Sequence, residues 1–206
     1  MTAVEALVEI IRVNLKRGSS GFKGEFVWFY AYAPRKNTQD KETNSLSRLM
    51  FHDFSKSMMA GVKSEFITVD YLRRWIRFLE KGSVLGIISE IKAARSFEEY
   101  YSSHYYHIPM MDFRCPKGPK NLLRIKKLLR VNGEEEGVIL DSGRSYHYYG
   151  LNLMSEKGWL RFLGSCLLSK LVDERYMGHR LIDRCGILRL SACPLRPGIP
   201  EVVVVL

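Results

Sequence analysis

Residues 104–113 (HYYHIPMMDF), 119–131 (PKNLLRIKKLLRV) and 137–149 (GVILDSGRSYHYY) are consecutive pieces of one stretch, and their reading decides the fold. The first piece is aromatic and apolar, extended in character, and ends at Asp112 just before Cys115 and Pro116. The second repeats Leu122, Ile125, Leu128 and Leu129 on one helical face, with Lys120, Arg124, Lys126, Lys127 and Arg130 around the rest. Asn132 and Gly133 supply its stop, after which the third piece returns to strand-like composition. A strand, helix, strand order predicts an α+β (α/β-like) domain. We expect a mixed sheet with helices packed on one face and the other face open to a ligand.

Working outward, residues 3–16 place Val4, Leu7, Val8, Ile11 and Leu15 at helical spacing, and the glycines from Gly18 to Gly21 end that helix. Residues 26–33 read as a strand, 35–45 as a polar loop, and 46–59 and 69–79 as helices, the latter with Arg73, Arg74 and Arg77 on a basic face. Residues 83–91 form an apolar strand. Downstream, 156–171 read as a helix, 173–182 as a compact helical or turned segment, and 187–190 and 202–206 as short strands. Residues 1–82 are expected to form a helical and strand region packed on a core of residues 83–206, the two making one compact unit.

The 206 residues carry 32 Lys plus Arg against 22 Asp plus Glu, a net charge of +10, which favours a polyanionic partner. The densest basic segment comprises Lys117, Lys120, Lys126, Lys127 and Arg130, with Tyr100, Tyr101, Tyr105 and Tyr106 close by in sequence. Such a mixture suits a single-stranded or primed nucleic acid, gripped at phosphates and stacked on rings. It equally suits a solvated helix beside an aromatic core. No uninterrupted apolar stretch is long enough to cross a bilayer, and Glu5 and Glu9 interrupt the opening helix where a secretory signal would be apolar. A cytoplasmic protein is expected. Cys115, Cys166, Cys185 and Cys193 lack zinc-type or redox-type spacing and read as buried thiols. There is no Walker phosphate loop and no nucleophile elbow.

The residues left to carry chemistry lie around the third piece. Ser142, Gly143, Arg144, Ser145 and His147 together offer hydroxyl, guanidinium and imidazole donors of the kind that hold a triphosphate. A strand period of two puts Ser145 and His147 on one face and Tyr146 and Tyr148 on the other. Asp112, at a strand end, is placed either to grip a hard cation or to cap the following turn. Tyr176, Gly178, His179 and Arg180 form a further polar cluster, open to phosphate contact or to packing.

An acid at one strand end, Ser-Gly-Arg-x-x-His on the next, and an apolar pair with aspartate downstream resembles the archaeo-eukaryotic primase superfamily, including primase-polymerases. The likeness covers approximately residues 83–195. It implies that Asp112 belongs to the first, metal-binding motif and that Ser142, Arg144, Ser145 and His147 form the nucleotide-binding second motif. It implies that Asp173, after Leu171 and Val172, is the third-motif acid, with Asp183, after Leu181 and Ile182, as the alternative. Arg189, within Leu188 to Ser191, becomes a secondary phosphate contact. On that resemblance Asp112 and Asp173 would be catalytic and hold Mg2+ or Mn2+. The activity would be nucleotidyl transfer to a 3′ hydroxyl in DNA primer synthesis or extension, and the partners a nucleoside triphosphate and a nucleic-acid strand. One position departs from the pattern: where the family's Asp-x-Asp has its second acid, this chain has Arg114. Two-metal phosphoryl transfer needs several carboxylates to hold metals roughly 4 Å apart. An arginine there either pairs with Asp112 or meets a nucleotide phosphate itself, each of which converts the site to a nucleotide-binding or nucleic-acid-binding module, or leaves Glu90, Asp141 or Asp183 to replace the missing ligand.

Overall fold

The computed structural model describes residues 1–17, 26–32, 59–79, 83–92, 105–192 and 196–206. The loop expected at 35–45 and the helix expected from residue 46 therefore lie outside the described residues, and Met59 opens a strand. In chain order the elements are α1 (Ala3–Lys16), β1 (Phe26–Tyr32), β2 (Met59–Lys63), α2 (Val69–Phe78), β3 (Val84–Lys92), β4 (Tyr105–His107) and β5 (Met110–Asp112). There follow α3 (Pro119–Val131), β6 (Gly137–Asp141), β7 (Tyr146–Gly150), β8 (Met154–Ser155), α4 (Glu156–Leu168), α5 (Glu174–Asp183), β9 (Ile187–Arg189) and β10 (Glu201–Val205).

The fold is α+β, as its element pattern requires, but its strands divide between two sheets and every described pairing is antiparallel. The larger sheet runs β2-β1-β3-β4-β8, with β9 also paired to β3; the smaller runs β10-β6-β7-β5. The apparent strand at 104–113 is broken at Pro109. Its first part pairs with β3 in the larger sheet and its second with β7 in the smaller, because proline cannot donate to a ladder. The strand, helix, strand unit is real but split: β5 and β6 are joined through α3, and β7 lies between them, antiparallel to both.

Alternation along the smaller sheet sorts its side chains into two cores. Met110, Val138, Leu140 and Tyr149 pack with α1 and with Val27, Phe29, Leu85 and Ile87 of the larger sheet. Met111, Ile139, Tyr146 and Tyr148 pack on the other side with Ile125 and Leu129 of α3, Trp159 and Phe162 of α4, and Met177 of α5. The face expected to be open is thus covered. The N-terminal strands, whose partners no local pattern announces, build a second apolar layer over it.

Local chemistry explains the ends of the elements. Thr2 and Glu5 form a reciprocal capping box on α1, Glu5 Oε2 accepting from the Thr2 N–H at 2.8 Å. Pro119 stands at the start of α3, where no intrahelical donor is missed. No described helix is long and apolar enough to cross a membrane. Cys115, Cys166 and Cys185 are buried.

Gly137 and Gly150 face each other across β6 and β7, and there the absence of a side chain is required. A Cβ on Gly150 would lie 2.5 Å from Glu134 Oε2 and 2.9 Å from the Pro109 ring. That Glu134 oxygen accepts from the Tyr148 hydroxyl at 2.8 Å. Gly150→Ala should therefore push a buried acid off its partner and destabilise the chain by about 1–3 kcal/mol. A urea midpoint unchanged from that of the native chain would refute this.

Candidate functional site

The site forms where β5 and β7 meet the segment leading into α5. Asp112 and His147 are direct cross-strand partners, so both project from the same face of the smaller sheet. His147 Nε2 stands 3.6 Å from Asp112 Oδ1. Beyond β5 the chain continues alongside 171–173: Phe113 bridges Val172, and the Arg114 N–H donates to the Leu171 carbonyl at 2.8 Å. This register brings the Arg114 guanidinium to Asp173, Nη1 to Oδ2 at 2.6 Å. The other Asp173 oxygen caps α5 by accepting from the Tyr176 N–H at 3.0 Å.

The electrostatics are unusual around Asp112. Burial pushes its carboxyl up to about 6, against the downward pull of Arg196, Arg189 and Arg180 and with a further rise from Asp173. Its side chain nevertheless keeps 43% of its surface in contact with solvent. The acid is thus crowded by protein on one side and still reachable from solvent. Burial, reinforced by Arg189 and Arg196, holds His147 down at about 3, so its ring is neutral at pH 7. Three buried polar atoms here have no hydrogen-bond partner among the described residues: His147 Nδ1, the Tyr176 hydroxyl and Arg180 Nε. Arg180 acts on Asp112, and Asp112 helps raise the Tyr176 phenol, after burial itself, so all three belong to one neighbourhood. Buried groups of this kind are uncommon in native proteins and call for a partner beyond the described residues, such as an ordered water, an ion or a ligand.

The remaining expected residues fall in different places. Ser142 to Ser145 are not strand but the turn between β6 and β7, closed by the Ser142 N–H to the Ser145 carbonyl at 3.0 Å. Gly143 has φ +99° at its first central position, a conformation glycine adopts freely, and its N–H donates to Asp141 at 2.7 Å. Arg144 is exposed at the tip. The Ser145 hydroxyl is occupied by Cys115, donating to its carbonyl at 2.7 Å and accepting from its N–H at 3.1 Å. Arg189 is a staple. Its Nη1 donates to the carbonyls of Ser191 and Gly198, and its Nη2 donates to that of Ser142 at 2.6 Å, so it fixes the turn and the loop before β10 while lending its charge to the site.

Asp183 is buried and paired with Arg180 at 3.1 Å. Asp141 pairs with Lys117 at 2.9 Å, and Glu90 lies in β3, opposite His107 of the larger sheet. Lys120, Lys127 and Arg130 are exposed and Lys126 half-buried. Their helix, α3, packs on the face of the smaller sheet opposite His147, so the structure does not bring them to the site. Tyr100 and Tyr101 lie outside the described residues. Arg196 was not anticipated. Its only signal is an arginine between Pro194 and Pro197, a rigid setting for a side chain that must hold a position.

These donors do not fit a two-metal centre. Asp173 is neutralised by Arg114 and occupied as a cap, Asp183 is held by Arg180, and Asp141 by Lys117. Among the described residues no three His, Cys, Asp or Glu side chains gather as a group able to hold a metal ion.

A family model described as AEP-like, archaeo-eukaryotic primase 1D-like, matches residues 63–196. The match begins earlier than the motif resemblance, at the last residue of β2, and takes in α2. No curated protein and no solved structure matches the chain.

Proposed function

Because the chain belongs to the AEP-like, archaeo-eukaryotic primase 1D-like family, we propose that it is a primase-like domain that binds a nucleoside triphosphate at the Asp112–His147 site and a nucleic-acid strand beside it. The observation that carries this reading is the buried, neutral His147, whose Nδ1 has no partner among the described residues, set among the charges of Arg189 and Arg196. A neutral imidazole with one free nitrogen accepts or donates one hydrogen bond according to its tautomer. Near the charges of these guanidinium groups it suits a phosphate or ribose oxygen better than a cation. Arg189 contributes by holding the Ser142 turn and the Gly198 loop in register, so the polar groups meet a ligand preorganised. The net charge of +10 supports attraction of the strand, with an affinity that falls as salt rises.

Titration with a fluorescent nucleoside triphosphate tests the reading. The native chain should bind it, and His147→Ala should bind at least about tenfold more weakly, equivalent to roughly 1.4 kcal/mol, with its circular dichroism spectrum unchanged. Incorporation of labelled nucleotide on a primed template measures transfer separately from binding. A native chain that binds neither nucleotide nor a single-stranded oligonucleotide at low salt would end the proposal.

A further inference from the structure

Arg114 stands in direct contact with one of the two carboxylates at the site, and its geometry has a consequence for how phosphate would be bound. Its side chain is 76% exposed, and one nitrogen of the guanidinium, Nη1, is engaged with Asp173 at 2.6 Å. A guanidinium carries five N–H donors in a rigid fork and stays protonated at any pH a protein survives. With Asp173 holding one prong, the exposed remainder of the fork is anchored rather than free to wander, and a planar pair of donors matches two phosphate oxygens. The anchor is itself fixed, since the second Asp173 oxygen is tied to the N-terminus of α5 and the backbone of Arg114 to Leu171.

The surrounding charges point the same way. Arg180, Arg189 and Arg196 all act on Asp112, and with Arg114 on Asp173 the permanent cations outnumber the three acids Asp112, Asp173 and Asp183. A divalent ion entering this group meets guanidinium repulsion and, of these three acids, finds two already paired to an arginine. Within several ångströms that repulsion is large at any dielectric appropriate to a partly buried site. A polyphosphate meets the opposite field.

We propose that Arg114 is the resident cation of this site, doing for a bound polyphosphate what a divalent metal would otherwise do, so that the chain binds nucleoside triphosphate without metal. This rests on the nucleotide-binding reading above, and the experiment separates the two. The fluorescent nucleotide is titrated into the native chain in EDTA and again in magnesium chloride. The two affinities should agree within about twofold, and Arg114→Ala should weaken both about tenfold, a loss of roughly 1.4 kcal/mol. Arg114→Lys, which keeps the charge but loses the fork, should fall between them, which a merely structural ion pair would not produce. Because an exposed pair contributes at most about 1 kcal/mol to stability, these variants should fold. Manganese binding read by electron paramagnetic resonance should be absent from the native chain and acquired by Arg114→Asp. Nucleotide affinity lost in EDTA and restored by magnesium, or manganese bound as tightly by the native chain as by Arg114→Asp, overturns the inference and leaves nucleotide binding intact. Failure to bind nucleotide in either buffer overturns the nucleotide-binding reading and this inference with it.

Discussion

Replacing Asp183 with alanine should destabilise the chain by about 3–5 kcal/mol, whereas Asp112→Asn should leave it equally or more stable at pH 7. Both positions are aspartates near one site, and their surroundings set the difference. The side chains of Asp183 and Arg180 are 5% and 7% exposed, and the carboxylate accepts from Arg180 Nη2 at 3.1 Å. Arg180 also lies 5.2 Å above the Tyr176 ring. Alanine at 183 would leave a buried guanidinium that has lost its charge partner and cannot deprotonate to relieve the cost. Asp112 is the reverse case, since burial raises its carboxyl to about 6 and the folded chain holds its charge at a cost. An amide of the same shape removes that cost. The measurement is the denaturant midpoint at constant slope. Arg180→Met added to Asp183→Ala should recover most of the loss, because the stranded charge is then gone. A loss under about 1 kcal/mol for Asp183→Ala would instead mean that Asp183 is not needed to hold Arg180, and would reopen the third-motif assignment.

Elements with strong local signals were legible in the sequence. The helix at 119–131 is read with its observed limits, because a four-residue apolar face, a proline at the start and Asn-Gly at the end act within one element. The strand-like piece at 137–149 is right in character but hides a turn. Gly143 reads naturally as a phosphate contact, yet its φ of +99° makes it the residue that lets β6 and β7 reverse direction. The same misreading extends to Ser145, whose hydroxyl period-two reasoning aims at a ligand and which Cys115 in fact occupies. What could not be read is non-local. No spacing announces that residue 112 stands opposite 147, that 113 bridges 172, or that Arg114 therefore meets Asp173. Nor does the buried run of β3, apolar on both faces, say that the smaller sheet covers one of them.

The pH dependence of stability should reveal two opposed pairs of buried groups. His147 is held at about 3 and His107, stacked on Trp159 at 4.4 Å, at about 4, in both cases chiefly by burial. Each binds fewer protons folded than unfolded between that value and the ordinary 6.5, so their contribution is complete above 6.5 and is lost as pH falls. Glu134 is the opposite. Burial raises it from 4.5 to about 7, so the folded chain binds the extra proton, and stability falls as pH rises from 4.5 to 7. Asp112 shares that sign between 3.8 and about 6, weakened by its contact with solvent. Between pH 4.5 and 6 the pairs oppose each other and the native profile should be shallow; below 4.5 only the weakened contribution of Asp112 still opposes the histidines and stability should drop more steeply. Glu134→Gln, which keeps an acceptor for Tyr148, removes one counterweight. Its unfolding free energy should fall more steeply than that of the native chain as pH drops from 6.5 to 4.5, by up to about 1.4 kcal/mol per pH unit. His147→Gln should tilt the profile the other way. Urea denaturation across this range decides the matter: a Glu134→Gln curve parallel to the native one would mean that Glu134 does not take up a proton on folding, and the assignment of that buried acid would fail.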